Sequence, residues 1–296
     1  MQMTEHWLHP IIPTSIPEST LARADELVRK TAFLAGMVAP ETAACLSELL
    51  KSTHAHYPSV VDGNPSEPET LERAFILKHH QRTFSDIPEL RRRIVAVLSQ
   101  HHQVLHGRTH RAGIGAFARA LTYEHFMLLG LHPHLWSLPR GLRRRLDEYQ
   151  SSADMNEPMG KDGLESAQKR TSGEQLAFID FMLDVCREEV DYMSFALSRR
   201  QLREQVLQCF KKSERISSFG ISPEIAPAII ALLIQGSLPR NEFKAFTGIQ
   251  SEEVGDELSK LESLGILVTS KHKLDSVEPR LPAWFAHEIL PILQLL

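Results

Sequence analysis

Apolar residues recur at helical spacing along most of this chain. Leu21, Leu27, Val28, Phe33 and Leu34 form one stripe, which predicts a helix opened by Pro17-Glu-Ser-Thr20. Pro40-Glu41 opens a second, with Ala43, Leu46, Leu49 and Leu50 inward, ending near His54. His56 to Asn64 then reads as a short apolar turn closed by Asp62-Gly63. Pro65 to Thr70 is a loop leading into an acid-rich helix start, as the helix dipole prefers, and that helix runs through Leu71, Phe75 and Ile76 to about Gln81. Ser85-Asp-Ile-Pro-Glu89 starts the next one, whose buried side carries Leu90, Ile94, Val97, Leu98, His101, Val104 and Leu105.

Beyond a glycine-containing break, Phe117, Leu121, Phe126, Leu128 and Leu129 mark a core helix. Trp136 to Leu142 leads into another, continued by Leu146 and Tyr149. Residues 151–172 are polar with few apolar anchors and read as an exposed loop. Long helices are expected over 174–196 and 199–210. Period-2 alternation is nearly absent before residue 265, so the fold class is all-α. Residues 1–20 are a Pro-rich arm bearing Trp7, Leu8, Ile11 and Ile12, expected to pack on a helical domain over 21–215.

The last segment, 216–296, follows a different pattern. Helices are expected over 223–235, 239–246 and 250–264, with Gly265 as a stop. Ile266-Leu-Val-Thr-Ser270 with Leu274 reads as a short β-wing. Three short helices and a wing predict a small winged helix-turn-helix domain. Residues 281–296 form an apolar tail that needs a docking surface, because exposed it would be a sticky patch.

Composition changes this picture little. Of 296 residues, 42% are hydrophobic and 24% charged, as in soluble globular chains. A net charge of −4 gives no overall pull toward nucleic acid or an anionic membrane. Cys45, Cys186 and Cys209 are scattered, fitting neither a disulfide framework nor a zinc site, so a cytoplasmic location is expected. The longest apolar run, Ile225 to Ile234, is too short to cross a bilayer, and no membrane partner is expected.

Candidate chemistry concentrates on Arg108-Thr-His-Arg-Ala-Gly-Ile-Gly-Ala-Phe-Ala-Arg119. Two glycines ahead of a helix allow backbone N–H groups to face an anion. Arg108, His110, Gly113, Gly115 and Arg119 are the candidate phosphate- or nucleotide-binding residues. The competing reading is a plain helix-capping turn with solvated arginines, since a lone Gly-x-Gly is weak evidence. The paired histidines, among them His101/His102 and His106/His110, lack the Glu or Cys that would complete a metal set, so no metal is expected.

Several stretches together resemble the Fic (Fido) family of nucleotide transferases. Tyr57 to Gly63, followed by Pro68-Glu-Thr-Leu-Glu-Arg-Ala74, is similar to the family's inhibitory-helix region. His101-His-Gln-Val-Leu105 is similar to the helix leading into its active-site loop, and Leu135 to Leu142 with Tyr149 to the segment after it. The resemblance implies an all-α Fic-like bundle, with AMP transfer from ATP and magnesium to a target hydroxyl as the ancestral chemistry.

The family loop, His-Pro-Phe-x-Asp/Glu-Gly-Asn-Gly-Arg-x-x-Arg, falls on 108–119, where Gly113, Gly115 and Arg119 survive. Its catalytic His falls on Arg108, whose guanidinium cannot act as a base. The magnesium acid falls on Ala112, the phosphate-touching Asn on Ile114 and the outer-phosphate Arg on Ala116. A register starting at His106 keeps the His but puts His110 at the acid and Arg111 at a glycine. His132-Pro-His134 mimics the motif's opening without its glycine turn. The inhibitory Ser-x-x-x-Glu-Gly falls on Pro58, Asp62 and Gly63, so both halves of the family's inhibitory ion pair are altered. No signal of the family's target-docking hairpin appears between Ile76 and Gln100.

These departures imply no catalytic residue and no cofactor: a pseudoenzyme binding or regulating a protein partner. The alternative is a diverged AMP transferase using ATP and magnesium through Arg108, His110 and Arg119. A second alternative is a winged-helix DNA-binding regulator. It is disfavoured because the recognition-helix stretch carries Glu252, Glu253, Asp256, Glu257 and Glu262 against Lys260 alone. A second copy of the chain is a further candidate partner. Arg140, Arg143, Arg144 and Arg145 read as a solvated helix face, with a docking patch for an acidic partner or a nucleic-acid backbone as the alternative.

Overall fold

The computed structural model describes residues 12–13, 15–61, 87–106, 114–152, 164–248, 253–269 and 275–291. The described chain is all-α apart from one small sheet. Contacts divide it into two compact units, one of residues 1–32 and 53–191, the other of 33–52 and 192–296. The expected boundary near 215 thus falls inside the second unit. Among the described residues no single helix is long and apolar enough to cross a membrane.

The first unit holds most of α1 (Glu18–Met37), together with α3 (Ile87–His106) and α4 (Ile114–Leu128). It also holds α5 (Leu138–Arg144), α6 (Leu146–Ser152) and most of α7 (Leu164–Ala196). Its core gathers Leu27, Ile94, Leu98, Phe126, Trp136, Phe178 and Met182, all fully buried. In α1 the buried positions are Thr20, Leu21, Ala24, Leu27, Thr31 and Leu34. Phe33, expected inside, is 65% exposed. A 3.6-residue period that buries Leu34 turns its neighbour about 100° away. Leu128 is exposed for the same reason, while Leu129 is buried. Three ion pairs hold α1 parallel to α7: Arg23–Asp184 at 2.7 Å, Glu26–Arg187 at 2.5 Å and Lys30–Asp191 at 2.6 Å.

Residues 164–172 belong to α7, not to a loop. Glu165, Ala167, Gln168, Lys169 and Arg170 are good helix formers, and extending a helix already packed further along is far cheaper than nucleating one.

Only part of the arginine cluster is a solvated face: Arg143 and Arg144 are exposed. Arg140 is 2% exposed, and its Nε and Nη2 both lie 2.7 Å from Oε2 of the fully buried Glu189. Arg144 reaches the other oxygen of Glu189 at 3.0 Å, and Arg145 pairs with Glu188 and Glu148. Burial holds the Glu189 carboxyl above the usual carboxylate range, and Arg140 and Arg144 offset this only in part. Gly141 makes this approach possible, because a Cβ there would lie 2.6 Å from Val185 Cγ1 and 2.7 Å from Glu189 Cγ. Ser137 caps α5 by accepting from the Arg140 N–H, and Pro139 sits in the first turn, where its missing N–H costs nothing.

The second unit begins with the end of α1 and the first part of α2 (Pro40–Val61). That helix was expected to stop near His54, with a turn over 56–64. It runs to Val61, past Pro58, and the rest of that expectation lies outside the described residues. Thr42 donates its hydroxyl to the Leu233 carbonyl at 2.8 Å, satisfying a carbonyl at the end of α10 (Ala226–Gln235). Gly236 closes α10 at φ +81°, and a Cβ there would collide with the Glu41 carboxylate.

Further on come α8 (Arg199–Lys212), capped by Ser198, then α9 (Glu214–Ser218) and a 3₁₀ turn at Pro223–Ile225. After α10 the order is β1 (Leu238–Pro239), α11 (Arg240–Thr247), α12 (Glu253–Ser263), β2 (Leu267–Thr269) and β3 (Ser276–Pro279). The strands are antiparallel in the order β1-β3-β2, pairing Leu238 with Val277 and Val268 with Glu278. The two-residue β1 is too short to show alternation, so the sequence pattern does not reveal it.

The described part of the apolar tail docks through α13 (Ala283–Ile289), and 292–296 lie outside the described residues. Phe285 meets Phe210 edge-on at 6.4 Å, and Glu288 accepts from Ser213 Oγ at 3.0 Å and Cys209 Sγ at 3.1 Å. On α12 the acidic face is smaller than expected. Glu257 is 7% exposed and accepts the Ser222 N–H at 3.1 Å, while Glu262 accepts the Thr269 N–H at 3.0 Å. Both satisfy neighbouring backbone donors, a use of carboxylates that residue type alone does not predict.

Candidate functional site

Helices α3 and α4 pack against each other and flank the stretch 107–113. Arg108, His110 and Gly113 lie in that stretch, outside the described residues, as do Asp62 and Gly63. Gly115 and Arg119 are described, one turn apart on the buried side of α4, and Arg119 is 4% exposed. The helix begins at Ile114, so Gly115 sits in its first turn. Ala116, at the outer-phosphate position of the resembled loop, is 4% exposed.

Besides the buried Arg140–Glu189 pair, the first unit contains a buried polar layer at the contact of α3 and α4. It comprises Ser99, Gln100, His101 and His102 from α3, Arg119 and Thr122 from α4, Tyr149 from α6 and Gln175 from α7, all buried. His101 is at its centre. Its Nδ1 is 2.7 Å from Thr122 Oγ1, and its Nε2 is 3.1 Å from the Tyr149 hydroxyl. Thr122 spends its one proton on the Ala118 carbonyl at 2.9 Å, so its oxygen accepts from His101 Nδ1–H. Nε2 is then the lone-pair nitrogen and accepts from the Tyr149 O–H.

Phe178 closes the layer from α7, its ring 5.6 Å from His101 and 5.0 Å from His102. Phe181 stacks on Tyr149 at 6.4 Å and carries the Arg145 guanidinium on its face at 4.8 Å. Gln175 donates to Ser99 Oγ at 2.7 Å. Burial, and secondarily the Arg119 charge and His102, hold the His101 imidazole at about 3 instead of the usual histidine range. It is therefore neutral at physiological pH, with both ring nitrogens occupied. A general base needs an accessible lone pair and a pKa near the working pH, and His101 has neither.

The sequence pattern places His101 on the buried side of its helix but does not reveal its partners. The available signal was a run of polar residues on an apolar stripe, with Thr122 three residues after Arg119 and Tyr149 alone in a polar segment. His101, expected on the buried side of its helix, is 1% exposed, and its neighbour His102 is 5% exposed. Among the described residues no three His, Cys, Asp or Glu side chains gather around a point where a metal ion could sit. In comparisons with known proteins, the chain matches no family model and no curated protein.

Proposed function

We propose that this chain is a catalytically inert Fic-like protein that works as a binding or regulatory partner of another protein. The carrying observation is Ala116, a buried methyl group at the position where the resembled loop grips the outer phosphate. The first turns of α4, Ile114 to Tyr123, contain no carboxylate to hold a cation. The described half of the segment therefore does not fit a magnesium–triphosphate. His101, within the same two-helix element, is sealed between Thr122 and Tyr149. Arg119 remains as a charge beside His101, and among the described residues no three His, Cys, Asp or Glu side chains gather around a point.

The C-terminal segment we read as a winged helix. Support comes from the order α10, β1, α11, α12, β2, β3 and from the central position of β3. A DNA-reading role needs cationic reach from α12. The one lysine there, Lys260, is spent on the Gly220 carbonyl and Glu257, both at 2.8 Å, and Asp256 is exposed. A protein-facing role in the cytoplasm fits this helix better than a duplex. Titrating ATP calorimetrically with and without magnesium tests the proposal: magnesium should add nothing to any heat of binding. A magnesium-dependent affinity gain would overturn it.

A further inference from the structure

The corner where α7 ends and α8 begins carries two large apolar side chains in solvent. Phe195 is 63% exposed and Phe33, near the end of α1, is 65% exposed. The α1–α7 seam keeps a constant offset of 161 residues through Arg23–Asp184, Glu26–Arg187 and Lys30–Asp191. One turn further, the same register brings Phe33 level with Ser194 and Phe195. Both phenylalanines belong to the second unit. Two large aromatic side chains of this unit thus stand in solvent, which water does not favour.

The surroundings are cationic. Arg199, Arg200 and Arg203 occupy the start of α8, in the same unit as both phenylalanines. All three are exposed and make no ion pair among the described residues. This contrasts with Arg140, Arg144 and Arg145, which α7 neutralises. Of the acids nearby, Asp191 is committed to Lys30 and Glu26 to Arg187, leaving Glu204 exposed. Three arginines at the start of a helix also oppose its dipole, so the placement does not serve α8 itself.

We infer that this corner docks an acidic, aromatic-bearing segment of a partner protein, with Phe33 and Phe195 as anchors and Arg199, Arg200 and Arg203 as the rim. Charge complementarity selects the occupant. A second copy would bring the same positive rim against itself, so self-association through this face is disfavoured. Buried aromatics with arginine partners are the usual energetic centre of such contacts. The inference extends the proposed partner role, but its test does not involve ATP, so either can fail without the other.

The test is a binding titration of the full chain with a Glu-rich random copolymer of Glu and Tyr. Single-stranded oligothymidylate and phosphatidylserine–phosphatidylcholine vesicles are parallel probes. We expect copolymer binding that weakens above about 0.15 M salt. The double change Phe33→Ala, Phe195→Ala should weaken it about tenfold or more. The triple change Arg199→Gln, Arg200→Gln, Arg203→Gln should do the same, with melting temperatures unchanged because every altered residue is exposed. No copolymer binding, or binding indifferent to both variants, overturns the inference. So does tighter binding to the oligonucleotide or the vesicles that both variants abolish.

Discussion

Tyr149 donates its hydroxyl to Nε2 of His101 across 3.1 Å, and that bond determines what the histidine can do. With Nδ1–H given to Thr122, the imidazole is a neutral connector between α3, α4 and α6. It ties together the helices beside the 107–113 stretch and has no lone pair left for a substrate.

Removing that hydroxyl should cost stability, not activity. Tyr149→Phe keeps the ring on Phe181 but leaves a buried imidazole nitrogen without its donor. We expect a loss of about 1–3 kcal/mol in chemical denaturation. A loss within experimental error would show that the bond contributes nothing net.

His101 also makes stability pH-dependent. Its folded pKa, about 3, lies below the unfolded value near 6.5. Between those values the unfolded chain takes up a proton that the folded chain refuses, so stability is complete above pH 6.5 and falls as pH drops toward 3. The slope from this one group approaches about 1.4 kcal/mol per pH unit. His101→Asn, compared with the parent by urea melts from pH 7 to 4, should flatten the curve. Parallel curves would assign the acid sensitivity to other groups.

Gly141 is a contact point between helices. Gly141→Ala drives a methyl group into Val185 and Glu189 at separations that Cβ atoms essentially never show, and both contact atoms belong to fully buried side chains. A loss of about 1–3 kcal/mol is expected from overpacking, more if the Arg140–Glu189 pair is broken. Thermal melting checks it, and an unchanged midpoint would mean that α5 can move off α7 freely.

The all-α class, the long 174–196 helix and the docking of the tail were legible because each follows from periodicity over many residues. Phe33 and Leu128 misled because adjacent apolar residues cannot both lie on one helical stripe. Arg140 and Glu257 misled because charge alone does not say whether a buried counter-charge or backbone donor awaits it. The polar layer was half legible: position put His101 inside, but Thr122, Tyr149 and Gln175 come from three other helices. Only tertiary structure brings them together.

The central claim is inertness toward nucleotide transfer, and label transfer tests it most directly. The purified chain is incubated with magnesium and ATP labelled in the α-phosphate, and protein-bound label is measured beside Arg119→Ala and Arg119→Lys variants. The account predicts no magnesium-dependent label on the chain or on added proteins, for the parent and both variants alike. Magnesium-dependent label on the parent that disappears in Arg119→Ala, with the Arg119→Lys variant still folded, would contradict it.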